Sequence, residues 1–406
     1  MDDFKKKPQQ RKGFWRGFLT GAVVIALAGG LFSQARATGF FGLTETNVLS
    51  DPRHQEKLKT LEGMIDRYYL EEKEEEELAE GIYTGLIYGL DDPYSRYYTA
   101  EEFEEAMKET QGSYVGIGAL MSQSKDGVVT INECYEGSTA KEAGVQAGDL
   151  LLKVDGQDVQ EMELTQIVAL IREKEDQTVL LTIERDGKEQ EIPVPVSEVE
   201  LTYVTGEMLQ DQTGYVKITE FADVSYKQYE KVMETLKEQG MKRLIIDLRD
   251  NPGGLMTSVC DILNEILPKG LIVYTEDKYG NREEEWADGE NSFDYPLAVL
   301  VNENSASASE IFAGAVKDYQ VGTLVGTTTY GKGIVQETRQ LEDGSAVKLT
   351  TAKYYTPNGN NIHEVGIQPD VVSELSEEAR EQAELTKEED TQLQKAIEIL
   401  LADPQG

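Results

Sequence analysis

The sequence predicts a multidomain α/β protein: a layered α/β core, an inserted β-rich domain, and helical regions at the N- and C-terminal ends. Three observations carry that expectation. Apolar residues recur at 3-to-4 spacing over about 51–107; glycines, short β-like runs and turn signals dominate about 110–196; and strands alternate with helices from about Tyr203 to Pro369. At 406 residues the chain is also too long for one ordinary core. The expected divisions are 1–38, 39–109, 110–198, 199–375 and 376–406.

At the N-terminus, Lys5, Lys6, Lys7, Arg11, Lys12 and Arg16 precede an apolar run from Gly17 to Phe32, the order of charge and hydrophobicity in an export signal. Ala35-Arg36-Ala37 offers a cleavage site, while Phe14 and Trp15 suit interfacial anchors, so a cleaved signal and a retained membrane anchor both fit. Either way the bulk of the protein is expected outside the cytoplasm. A formal net charge of −37 repels phosphates and excludes a nucleic-acid partner. The two cysteines, Cys134 and Cys260, lie in separate expected domains and are read as small buried hydrophobes rather than a disulfide or metal pair.

The N-terminal helical region places Leu58, Leu61, Ile65, Tyr68 and Tyr69 on one stripe and Leu78, Ile82, Leu86 and Ile87 on a second. Between them the charge run Glu71 to Glu77 reads as solvated surface. Asp91-Asp92-Pro93-Tyr94-Ser95-Arg96-Tyr97-Tyr98 then breaks the pattern as a turn. In the β-rich domain the strand-like runs are Tyr114 to Leu120, Gly127 to Asn132, Leu150 to Val154 and Thr178 to Arg185, with a helix over Thr165 to Lys174. Gly116-Ile117-Gly118 puts two glycines around an apolar residue, a turn whose backbone N–H groups can receive a carboxylate.

In the core, an apolar strand from Met241 to Leu248 ends in Arg249-Asp250-Asn251-Pro252-Gly253-Gly254 and runs into a helical pattern from Leu255 to Leu267. Bare backbone at a helix start can bind an oxyanion or simply make a tight turn. A second strand, Leu297 to Val301, leads through Asn302-Glu303-Asn304-Ser305-Ala306-Ser307-Ala308-Ser309-Glu310 into an apolar helical segment. Serine is a preferred helix cap, so this turn needs a base before it means chemistry. A third strand, Thr323-Leu324-Val325, leads to a loop in which Lys332 lies between Gly331 and Gly333, ahead of Gln336. Burial disfavours the ammonium, and a desolvated lysine can take a proton from a serine hydroxyl. The chain has only two histidines, His54 and His363, and neither is well placed for the serine turn, which leaves lysine as the natural base.

The β-rich segment resembles a PDZ domain, through Gly116-Ile117-Gly118, Ala140 to Asp149, and Leu150-Leu151-Leu152-Lys153-Val154-Asp155-Gly156. The wider pattern, over about 55–375, resembles the carboxyl-terminal processing peptidases, the tail-specific serine proteases. It consists of Asp91 to Ser95, the inserted domain, Asp247 to Gly254, Ser305 to Glu310, Gly331-Lys332-Gly333 with Gln336, Tyr354 to Gly359, and Gly366 to Asp370. The resemblance implies Ser307 as nucleophile, Lys332 as general base, Gln336 as the amide orienting the lysine, and the backbone of Gly253 and Ala308 as oxyanion donors. It also implies that Gly116, Ile117 and Gly118 hold the C-terminal carboxylate of a polypeptide substrate, with no metal or cofactor. The competing reading is a non-catalytic PDZ adaptor; it would not need Ser307, Lys332 and Gln336 together. After Pro369 the chain becomes Glu-rich, with Leu393, Ile397, Leu400 and Leu401 as an apolar stripe that suits packing on its own domain or a contact in a homo-oligomer such as a dimer.

Overall fold

The computed structural model describes residues 48–402, apart from 125, 126, 136, 292, 377, 378 and 380–384. The export-like segment lies outside the described residues. Among those described, no helix is long and apolar enough to cross a membrane. The chain forms two compact units, one of residues 104–335 and 351–402, the other of 48–103 and 336–350.

The larger unit is built on a six-stranded sheet in the order Val204–Met208, Thr213–Ile218, Arg243–Asp247, Leu297–Val301, Thr323–Gly326 and Val371–Val372. The first pairing is antiparallel and the rest are parallel. A parallel sheet is stable when both faces are covered, and the alternation of side chains along each strand shows how that is met. Leu244, Ile246, Val299, Val301 and Leu324 enter one buried cluster with Phe312 and Val316 of the helix Ala308–Tyr319 and Val259 and Leu263 of the helix Met256–Asn264. Ile245, Ala298, Leu300 and Val325 face the other way, against Leu393, Ala396 and Leu400 of the C-terminal helix Thr391–Ala402. The expected apolar stripe on that helix therefore packs on its own core, except Leu401, which is exposed.

A second core within the same unit belongs to the β-rich domain, where five strands run in the order Ala119–Gln123, Val129–Cys134, Leu150–Val154, Thr178–Arg185 and Lys188–Pro195. Two expectations are corrected here. The run Tyr114 to Leu120 is two strands, Ser113–Gly116 and Ala119–Gln123, because Gly118 turns the chain at φ +71°. Its pro-R-like Cβ position is blocked as well: a side chain on Gly118 would lie 2.3 Å from Ser138 Cβ. Cys134 is half-buried rather than buried, although Cys260 is buried as expected.

The smaller unit pairs the helices Pro52–Tyr68 and Glu75–Tyr88 with a short strand, Arg96–Tyr98, on the first half of the strand Ala346–Tyr355. No residue of either helix is buried, and Leu61, Met64, Ile82 and Leu86 are all exposed. The Glu71 to Glu77 run is solvated, as its charge predicts. Asp92 organises the turn that follows by accepting from Tyr94 N (3.0 Å) and Ser95 Oγ (2.6 Å), and Ser95 Oγ in turn accepts from Thr350 N (3.1 Å).

Candidate active site

The three loops singled out in the core all leave the carboxyl ends of adjacent parallel strands: Arg243–Asp247, Leu297–Val301 and Thr323–Gly326. Parallel direction puts those ends on one edge of the sheet, the edge where open α/β sheets hold their ligands.

The middle loop carries three serines in different roles. Ser305 Oγ donates to Leu248 O (2.7 Å) and Ser309 Oγ to Asn251 O (3.0 Å), and both residues are wholly buried, so they tie this turn to the neighbouring loop. Ser307 is the helix-capping residue and has φ 53° and ψ −112°, a backbone region that a side chain rarely adopts. Strain of this kind costs of order 1–3 kcal/mol and persists where surroundings over-determine it. Here the surroundings are Tyr354, whose hydroxyl donates to Ser307 O (3.1 Å), and Glu310, which accepts from Ser307 N (3.0 Å).

Glu310 is the residue that sequence reasoning missed. It was legible only as the last letter of the serine motif, because a helix-capping glutamate and a buried clamp have the same local pattern. Its carboxylate is fully buried and accepts four hydrogen bonds: from Ser307 N, Lys332 N (2.8 Å), Gly331 N (2.7 Å) and Thr329 Oγ1 (2.6 Å). Burial pushes the carboxyl above its ordinary value, and those four donors pull the other way. The backbone nitrogens of Ser307 and Lys332 thus meet at a single oxygen, Glu310 Oε2.

The two glycines around Lys332 are needed for close approach. Gly331 has φ +90°, and a Cβ on Gly333 would lie 2.6 Å from His363 N. The Gly366-to-Asp370 motif secures the same loop, since Ile367 N donates to Thr329 Oγ1 (2.7 Å) and Thr329 N to Ile367 O (3.1 Å). Lys332 itself is buried, at 2% exposure. His363 packs its backbone against this loop, and His54 lies on the exposed N-terminal helix.

The glycine loop reaches the Ser307 turn directly. Gly253, at φ +112°, leaves so little room that a Cβ would lie 2.8 Å from Ser307 Cβ and 3.0 Å from Ala308 N. Asn251 links the loops through its backbone carbonyl, which accepts from Ala306 N (3.0 Å). Its side-chain Oδ1 accepts from Gly253 N (2.8 Å). Ser307, Lys332, Gly253 and Ala308 are therefore brought together. Gln336 falls in the smaller unit, wholly buried, where its Nε2 donates to Thr350 Oγ1 (3.3 Å).

The chain is 36% identical to the carboxy-terminal processing protease CtpA of Bacillus subtilis over 80% of its own length and 70% of the relative's. The chain belongs to peptidase family S41. Residues 212–373 match that family, residues 130–185 match the PDZ domain, and residues 38–102 match the activating protease CtpB N-terminal domain. It is also 37% identical to the carboxyl-terminal-processing protease of Synechocystis, covering 78% of this chain and 75% of that one. A solved photosystem II D1 C-terminal processing protease is 28% identical, with a TM-score of 0.47, covering 78% of this chain and 86% of that one. The protein is thus a carboxyl-terminal processing serine peptidase of mixed α/β fold with a PDZ domain.

In this peptidase the PDZ turn lies within the second apolar core. Ile117 is buried, and its carbonyl accepts from Ala140 N (2.9 Å) and Thr139 Oγ1 (3.2 Å). The strand that follows, Ala119–Gln123, is an edge of its sheet.

Proposed function

We propose that Ser307 and Lys332 form the nucleophile and general base of an acyl-transfer peptidase that acts on polypeptides with accessible C-terminal tails. The observation that carries this reading is the shared oxygen of Glu310, on which the backbones of the serine and the lysine converge. Ser307 attacks the scissile carbonyl carbon while Lys332 accepts the hydroxyl proton. The tetrahedral intermediate places its oxyanion at the N–H groups of Gly253 and Ala308. Collapse expels the amine product with the proton held by Lys332, and a water activated by the same amine releases the acyl group and regenerates the serine. Because Gly253 N donates to Asn251 Oδ1 here, binding an oxyanion asks that N–H to exchange the carboxamide for the substrate. Gln336, four residues beyond Lys332 in sequence, is assigned the role of orienting the lysine.

Tail capture falls to the PDZ domain. An extended peptide adds to the open edge of Ala119–Gln123, with its terminal carboxylate received at Gly116-Ile117-Gly118. We further assign the enzyme to an extracytoplasmic, membrane-anchored or secreted location from its N-terminal charge pattern, and to a homo-oligomer from the exposed apolar residues of the N-terminal helices.

The test is cleavage of an unstructured polypeptide by the wild type, Ser307→Ala and Lys332→Ala. Each substitution is expected to lower kcat by about 10^4-fold or more with the melting temperature unchanged; cleavage surviving either removes the mechanism. A free peptide competing only when its C-terminus is an unblocked carboxylate tests the PDZ role.

A further inference from the structure

Four residues before Gly253, Arg249 lies in a buried ionic cluster that the peptidase chemistry does not use. Its guanidinium donates through Nε and Nη2 to Asp247 (2.9 and 2.6 Å) and through Nη1 and Nη2 to Asp390 (3.0 and 2.7 Å). Nη1 also donates to Gln392 Oε1 (3.0 Å). Asp247 is further held by Tyr215, whose hydroxyl donates to it (2.7 Å). The side chains are 13% (Arg249), 1% (Asp247) and 10% (Asp390) exposed, so the contacts are shielded from solvent.

Asp390 and Gln392 sit at the start of the C-terminal helix, and Asp390 Oδ1 accepts from Leu393 N (2.9 Å) as its cap. Asp247 already neutralises Arg249 by itself. A second carboxylate on the same guanidinium is not required to compensate its charge, and removing it leaves no unpaired buried cation. What Asp390 adds is geometry: a planar fork gripped from two sides has one orientation. The backbone that follows Arg249 is the loop whose Asn251 and Gly253 abut Ala306, Ser307 and Ala308.

We infer that Asp390 is a positioning residue, through which the C-terminal helix sets the placement of the Arg249–Gly253 loop against the Ser307 turn. This rests on Ser307 as nucleophile and Gly253 as oxyanion donor. The helix is thereby a part of the catalytic apparatus as well as a cover for the sheet.

The test uses the full chain and Asp390→Asn, which keeps a good helix cap and removes the charge-assisted grip. On a tail peptide, kcat is expected to fall between about 10- and 100-fold with KM within twofold, the signature of a small displacement remote from the chemistry. Affinity for a peptide aldehyde, which forms a tetrahedral adduct with the nucleophile, should fall by a similar factor. Affinity for the unmodified tail peptide should not. Asp390→Ser, which also caps, supplies the same readout if the asparagine variant folds poorly, and Asp390→Glu should recover part of the lost kcat. Unchanged kcat and aldehyde affinity in a folded Asp390 variant overturn the inference. A Ser307→Ala control that remains active would instead overturn the nucleophile assignment, so the two failures are distinguishable.

Discussion

At the residue scale, the site depends on one buried carboxylate serving both the Ser307 turn and the Lys332 loop. Glu310→Gln keeps the shape but turns an amide NH2 toward backbone donors, leaving up to two of them without an acceptor at about 1–3 kcal/mol each. The expected outcome is a lower urea midpoint together with loss of peptidase activity. Unchanged stability would mean that the four hydrogen bonds do not hold the loops. The sequence made Ser307 and Lys332 visible because each sits in an unusual local pattern, a small-residue turn after a strand and a lysine between glycines. It could not show Glu310 or Asp390 as partners, because each reads locally as a helix-capping acid, and their partners lie 21 and 141 positions away in sequence at the most telling contacts.

At the scale of elements, the strand Leu297–Val301 and the positions of the three loops were legible because buried parallel strands are short unbroken apolar runs. The strand Lys188–Pro195 was not, since Pro193, Pro195 and four charged or polar residues hide its pattern; it tolerates them as an edge strand, paired along its length only to Thr178–Arg185. The PDZ domain also holds an ion pair in which a buried carboxylate, Asp149, meets a half-buried guanidinium, Arg185 (2.6 Å). Burial alone would raise the Asp149 carboxyl, but the Arg185 guanidinium and the Gln146 N–H outweigh it and hold the value below the ordinary one. A carboxyl depressed in the folded state contributes stability that is complete above its unfolded value near ~3.9 and is lost as pH falls through the folded value. Arg185→Met, which removes the cationic partner of Asp149, should therefore cost about 1–3 kcal/mol at neutral pH, and the gap from the wild type should narrow as the carboxyl protonates in acid. A pH-independent gap in urea unfolding would contradict the pairing.

For the whole molecule, the exposed apolar residues of the N-terminal helices are unusual beside a chain of net charge −37, whose repulsion opposes association. Sedimentation of the portion after the export-like segment should show a mass above the monomer that Leu61→Glu with Leu86→Glu reduces to one copy. A wild type that stays monomeric at all concentrations would remove the oligomer assignment. The proposed chemistry requires one atom, Ser307 Oγ, to carry the acyl group. Rapid acid quenching during turnover of an activated tail-peptide ester, followed by peptide mapping, reads this directly. The expected result is an acyl adduct on Ser307 that is absent from Ser307→Ala; an adduct on Ser305 or Ser309 instead, or one that persists in Ser307→Ala, would contradict it.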